Sequence, residues 1–316
     1  MQMRWRVLAV GLTAAVAGAT LGACGHTSVT SAVSPTPVSL TANATTGPSG
    51  ATNRATSPSA GHPLPHSVPQ FAHIVLVVME NHGYTDIIGS PQAPYLNSLS
   101  RQGLSLTQSF AVAHPSQPNY LALFSGSTQG ITTDACSPRL SGPNLASELS
   151  AAGYTFTGYS ESLPQAGYTG CSAGGYARKH NPWVDFTNLG PSINAPFTAF
   201  PGDYNQLPTV SFVIPNLDHD MHDGTVKQGD QWLRDHLGGY ANWTYAHHSL
   251  LIVTWDENDG AKANQIPTIL VGAGLLSGTD GTRSTHYTVL RAIEDSYGLA
   301  RLGASSTAPP LTADWQ

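Results

Sequence analysis

Ser116 stands in the stretch His114-Pro115-Ser116-Gln117-Pro118-Asn119-Tyr120, ahead of the helix-forming run Leu121-Ala122-Leu123-Phe124. A proline at 118 suits the first turn of a helix, because the N–H it lacks would be unpaired there in any case. Ser116 is therefore expected at or just before a helix N-cap. First-turn N–H groups and the positive end of the helix dipole favour an anion such as phosphate at that place. A serine so placed can be a nucleophile, or it can simply cap the helix with its hydroxyl. The surrounding chemistry bears on the choice. Glu80-Asn81, the stretch Asp218 to His222, Asp256-Glu257 and His286 are rich in oxygen and imidazole groups, the donors that hold divalent metals.

Within Pro215 to Gly224, six of ten residues are Asn, Asp or His. Burying such a density of polar groups without a ligand is costly. Metal or phosphate chemistry is one reading, and a solvated acidic loop is the other. Glu80 and Asp256-Glu257 each follow an apolar run, His73–Met79 and Ser249–Trp255. Carboxylates delivered to one edge of a sheet repel each other, and a divalent cation between them removes that penalty. Either residue could instead cap a turn. His286 is solitary in sequence and serves equally well as a structural histidine.

The elements that must position these groups alternate in type. His73–Met79 is a continuous β-branched and apolar run, as in a strand buried on both faces of a parallel sheet. Tyr154–Tyr159, Val210–Ile214, Ser249–Trp255 and Pro267–Val271 read as further strands. Helices are expected over Ala93–Gln102, from Asn119 onward, over Asn144–Ala152, over Val226–Leu237 with Gly238-Gly239 as the stop, and over Thr288–Tyr297. Residues 160–208 are rich in Gly, Pro, Asn and aromatics, and read as a long surface excursion of the kind that often carries binding residues. Strands alternating with helices predict an α/β fold, an α/β/α sandwich on a mostly parallel central sheet. Ligands bind such sheets at the carboxyl ends of the strands, where Glu80 and Asp256 lie.

Composition sets the limits. The chain has 316 residues, a formal net charge of -6, and 13 Lys and Arg that form no cluster. A nucleic-acid partner is therefore excluded as an expectation. Arg4 and Arg6 precede the uncharged run Val7 to Gly22, which fits a secretory signal and is short for a membrane span. The run closes in Leu21-Gly22-Ala23-Cys24, which resembles a bacterial lipobox with Cys24 as the lipidated residue. An ordinary signal peptide or an uncleaved anchor are the alternatives. Residues 24–70 are Ser/Thr/Pro/Ala/Gly-rich and read as a disordered tether. The folded domain is expected over 71–316, exported and held on the outer face of the cell membrane through Cys24, or secreted. With Cys24 lipidated, Cys136 and Cys171 remain as a pair, and an oxidising compartment predicts a disulfide between them.

Taken in order, Met79-Glu80-Asn81-His82, His114-Pro115-Ser116-Gln117-Pro118-Asn119-Tyr120, Pro215 to Gly224, Trp255-Asp256-Glu257 and Thr285-His286-Tyr287 resemble a known pattern. It is that of the bacterial and fungal phosphoesterase family of acid phosphatases and phospholipases C, within the alkaline phosphatase superfamily. The resemblance implies metal-dependent hydrolysis of phosphate esters through a phospho-enzyme. Ser116 matches the nucleophile. Glu80, Asn81, Asp256 and Glu257 match ligands of the metal that the nucleophile also touches. Asp218, His222 and His286 match a second metal set, or in single-metal members the groups that contact phosphate or protonate the leaving group. Glu257 stands where an Asp-His pair is usual in two-zinc members, so one or two ions per site remain open. Asn81 or Asn119 would bind phosphate oxygens; Lys179 and His180, within Tyr176 to Pro182, could reach them too, or form only a basic surface loop. Either His222 or His286 would act as acid.

The ligand types permit Mg, Ca or Mn at the oxygen-rich set, and Zn or Fe where imidazoles join. A compact domain without a visible amphipathic segment favours a phosphomonoesterase acting on a small phosphate ester. A phospholipase C or other phosphodiesterase is the first alternative, and a non-catalytic surface binding lipoprotein the second. No obligatory protein partner is evident in the sequence.

Overall fold

The computed structural model describes residues 68–316, apart from positions 137, 262, 314 and 316. The signal segment, Cys24 and the tether as far as residue 67 lie outside the described residues. The tether's last residues, 68–70, already belong to the fold: Val68 is buried, and the Ser296 hydroxyl donates to the Pro69 carbonyl at 2.8 Å.

Eight strands make the central sheet among the described residues: β1 (Ile74–Met79), β2 (Leu104–Leu106), β3 (Phe156–Ser160), β4 (Asn194–Pro196), β5 (Val210–Ile214), β6 (Leu250–Trp255), β7 (Thr268–Gly272) and β8 (Gly278–Asp280). Their order across the sheet is β8-β2-β7-β6-β1-β5-β3-β4. From β6 to β4 every neighbouring pair is parallel. β7 alone runs antiparallel, to both β6 and β2. The sheet is thus mostly parallel, and its middle strands β1, β5 and β6 are buried along their whole length. That burial explains their unbroken apolar sequence.

Among the described residues six α-helices flank it: α1 (Tyr84–Ile87), α2 (Pro94–Gln102), α3 (Ser116–Ser125), α4 (Leu145–Ala151), α5 (Val226–Thr244) and α6 (His286–Tyr297). Alternate residues of each strand face opposite layers. Ile74, Leu76 and Val78 pack with α3, α4 and α6, while Val75, Val77 and Met79 pack with α2 and α5. This is the three-layer α/β/α arrangement. All ten residues of α3 are buried. Phe124 lies at the centre of an aromatic cluster, with ring centroids 5.4 Å from Phe156, 5.7 Å from Phe186 and 5.8 Å from Phe212.

Three departures from the sequence reading have physical causes. α5 continues through Gly238 and Gly239 to Thr244. A Cβ on Gly239 would stand 2.6 Å from the Tyr204 hydroxyl, so that glycine serves close packing and does not end the helix. The excursion 160–208 contributes β4, which closes the sheet edge at Pro196; proline is tolerated on an edge because it need donate nothing there. The short β2 and β8 carry too few residues to show a period in sequence.

Cys136 and Cys171 form the expected disulfide, with Cα atoms 5.6 Å apart. It ties the loop between α3 and α4 to the loop between β3 and β4. No described helix is long and apolar enough to cross a membrane.

Phe124 anchors the helix that carries Ser116, so its truncation tests this packing. Phe124→Ala is expected to cost about 3–5 kcal/mol, read as a lower urea midpoint at unchanged m-value.

Candidate active site

The register of the middle strands places the chemistry. Met79 pairs with Trp255 across β1 and β6, so Glu80 and Asp256 leave adjacent strands at one edge. The Asp256 amide donates to the Met79 carbonyl at 2.9 Å, and the Glu80 amide to the Asp220 carbonyl at 2.8 Å. These bonds fasten three acidic segments together. Asn81 turns the chain sharply with φ 54°, a left-handed conformation that Asn tolerates better than most residues. Its amide donates to Asp256 Oδ1 at 3.1 Å.

Ser116 is the first residue of α3, and the N-cap residue, Pro115, has no side chain that could cap the helix. The Ser116 hydroxyl instead lies 3.2 Å from Glu80 Oε2 and 3.2 Å from Glu257 Oε1. A capping serine would accept from the N–H groups two or three residues on; this one donates to carboxylates. The capping alternative therefore fails on geometry.

Glu80 Oε1 accepts from the Tyr120 hydroxyl at 2.6 Å and lies 3.0 Å from His180 Nε2. His180 Nδ1 stands 3.4 Å from Asp220 Oδ2, and its ring stacks on Tyr120 with centroids 5.0 Å apart. His114 Nδ1 contacts Glu257 Oε2, and the His114 side chain is exposed. Lys179 pairs with Asp134 at 2.8 Å. Behind them Asp185 accepts from Gln117 Nε2 at 3.2 Å and pairs with Arg178 at 3.0 Å, holding the short helical turn that bears Lys179 and His180.

The electrostatics are those of a crowded acidic site. Burial first, then Asp256 and Asp220, pushes the Glu80 carboxyl well above the usual carboxylate range. Asp256 is pushed the same way by burial and then by Glu257. Asp220 is raised to about 7, mainly by burial, and Glu257 is raised by burial against the pull of His114. Burial, then the charges of Lys179 and His222, drives His180 well below the usual histidine range. His180 is therefore a neutral imidazole, the form that binds metals. Asp220 Oδ2 and Asp256 Oδ2 are buried and accept no hydrogen bond. Glu80, His180 and Asp220 each offer a ligand atom, all within 4.8 Å of one another. These oxygen and imidazole donors could hold a divalent metal ion, and the orphaned carboxylate oxygens fit one.

Several predicted residues are placed differently. Asp218 is exposed on the turn after β5, where Asn216 Oδ1 accepts from the amides of Asp218 and His219. That turn is not helical, so the four-residue spacing to His222 does not bring Asp218 inward, and Asp220 is the residue beside His180. His222 is exposed, pairs with Asp223 at 2.7 Å, and lies near His180 with ring centroids 6.0 Å apart. His286 is buried, with Nε2 2.9 Å from the Trp255 carbonyl. Burial lowers it to about 4, and its Nδ1 is buried without a hydrogen-bond partner. Asn119 spends both amide hydrogens on the Ala113 and Pro115 carbonyls and its oxygen on the amides of Val112 and Ala113. It pins the loop carrying His114 and has nothing left for phosphate. His180 lies among the acidic groups, where it was expected at phosphate. Sequence reasoning passed over His114, Tyr120, Asp134 and Asp220. His114 and Tyr120 sit four residues or fewer from Ser116, and that proximity was the available signal.

Comparison with known proteins now bears on the site. The Phosphoesterase family pattern matches residues 90–300, two-thirds of the chain. The chain belongs to the phosphoesterase family. A phosphatidylinositol-3-phosphatase of Mycobacterium tuberculosis is 53% identical over 253 residues, covering 79% of this chain and 84% of that protein. A phosphate-repressible acid phosphatase of Penicillium chrysogenum is 32% identical over 252 residues, 74% of this chain and 60% of that longer protein. A solved protein of the alkaline phosphatase superfamily from Vibrio parahaemolyticus shares the fold, with TM-score 0.56, 16% identity and coverage of 78% and 72%. This member of the phosphoesterase family is a hydrolase of phosphate esters.

The raised carboxyls give a pH signature for the metal-free protein. Asp220 titrates at about 7 in the folded protein, raised from the ordinary aspartate value of 3.8. The folded state binds the extra proton, so this contribution to stability is complete below the unfolded value and is lost as pH rises through about 7. Metal-free protein is expected to lose thermal stability between about pH 4 and 7, with a shallower slope in Asp220→Asn. Adding a divalent cation at pH 7 should restore the midpoint.

Proposed function

We propose that the chain is a metal-dependent phosphomonoesterase that works through a Ser116 phospho-enzyme. The observation that carries this reading is the Ser116 hydroxyl at the head of a buried helix, 3.2 Å from each of two buried carboxylates. Ser116 Oγ would attack phosphorus in line with the ester oxygen. The new Oγ–P bond forms as the ester O–P bond breaks, and the serine proton passes to Glu257, whose other oxygen meets the exposed His114. His222, backed by Asp223, would protonate the leaving oxygen. Water then cleaves the phosphoserine and releases inorganic phosphate.

Glu80, His180 and Asp220 would hold the metal, with Asp256, Asn81 and Glu257 beside them. A divalent cation there would lower the hydroxyl pKa of Ser116 and draw charge from the phosphoryl oxygens. Lys179 supplies positive charge near Ser116. A cleft of about 700 Å³, lined by Asn81, His82, Asp86, Ser90, Val226 and Asp259, meets the site at Asn81 and has room for the alcohol part of the ester.

A monoester substrate is favoured over a diester because the named action of the Mycobacterium tuberculosis relative, a phosphatidylinositol-3-phosphatase, is a monoester cleavage. The chain is further read as an exported lipoprotein anchored through Cys24, a reading that the disulfide supports.

The test is hydrolysis of a chromogenic phosphomonoester, the matching diester and a phosphocholine ester. Monoester turnover is expected to vanish with EDTA, to return with a divalent metal, and to fall about a thousandfold or more in Ser116→Ala. Turnover confined to the diester or choline ester would overturn the monoesterase reading, and a fully active Ser116→Ala would overturn the mechanism.

A further inference from the structure

The head of α3 offers few hydrogen-bond donors. Its N-cap is Pro115 and its third residue is Pro118, neither with an N–H. Of the first-turn amides, Ser116 and Gln117 alone remain to bind an anion. The Gln117 amide donates to Asp134 Oδ1 at 3.0 Å, and Lys179 Nζ donates to Asp134 Oδ2 at 2.8 Å. A helix amide and an ammonium group are what a phosphate oxygen pair would take in this position. The Asp134 and Lys179 side chains are 30% and 20% exposed, so solvent and ligands reach them. Asp134 lies two residues from Cys136, and the disulfide to Cys171 ties its loop to the segment leading into Lys179. A displaced Asp134 carboxylate would stay close by, as a competitor at high effective concentration.

We propose that Asp134 is a resident stand-in for the substrate's phosphate: its carboxylate occupies the anion seat beside Ser116 and must leave before a phosphate binds. Asp134 thereby sets the affinity of the site for phosphate. The inference rests on the reading of Ser116 as the phosphate-accepting centre. The opposite arrangement, in which Asp134 stays in place and positions Lys179 for the substrate, predicts effects of the opposite sign.

The deciding experiment is titration calorimetry of inorganic phosphate into the metal-loaded full chain, in wild type, Asp134→Asn, Asp134→Ala and Lys179→Ala. Competitive inhibition of phosphomonoester hydrolysis by phosphate provides a second readout. Loss of the carboxylate is expected to lower the phosphate Kd and Ki about tenfold, the scale of one charge-assisted hydrogen bond, and to lower KM in parallel. Lys179→Ala should raise Kd. Two Asp134 variants guard against one that fails to fold, and thermal melting identifies it. Unchanged or weaker phosphate binding in a folded Asp134 variant overturns the proposal while leaving Ser116 its role. A wild type that neither binds nor turns over phosphate overturns both.

Discussion

Four buried carboxyl groups crowd one end of the sheet, two of them within 3.2 Å of the Ser116 hydroxyl, and the rest of the site depends on that crowding. Glu80, Asp220, Asp256 and Glu257 are all held above the usual carboxylate range, chiefly by burial and then by other charges. Such an arrangement is unfavourable for a protein alone. It becomes favourable when a cation neutralises it, and the neutral His180 completes a donor set of mixed type. The same charges keep the Ser116 hydroxyl pointed at acceptors and away from its own helix. On the mechanism proposed above, stability and catalysis draw on one feature.

The sheet makes the crowding unavoidable. β1 and β6 are hydrogen-bonded neighbours in parallel register, so residues that follow Met79 and Trp255 must meet. β5 lies on the other side of β1 and delivers Asp220 through a turn fastened by Asn216. α3 packs as a wholly buried helix against this frame, with Phe124 fixed among four aromatic rings. Its first residue then has no freedom to move from the carboxylates. Gln117, Asp185 and Arg178 extend the same rigidity to the turn carrying Lys179 and His180.

Much of this was legible in the residues. The central strands announce themselves because burial on both faces requires continuous apolar runs. Ser116 was legible from Pro118 and from the acidic pairs that end two strands. What stayed hidden depended on tertiary contact. Asp218 and Asp220 are indistinguishable in an acidic stretch until the turn decides which faces inward. Asn119 looks like a phosphate ligand until its four hydrogen bonds to the loop at 112–115 are seen. His286 is solitary in sequence, and only the fold shows it buried against the Trp255 carbonyl. Asp134 lies in a loop without periodicity, and only the fold brings it to the head of α3.

The central claim is that phosphorus becomes bonded to Ser116 during turnover. Rapid acid quenching during hydrolysis of a phosphomonoester, followed by proteolysis and mass spectrometry, tests it directly. The account predicts one added phosphoryl group on the peptide containing His114 to Tyr120, localised to Ser116 and missing in Ser116→Ala. Efficient turnover with that peptide unmodified at every quench time would contradict it.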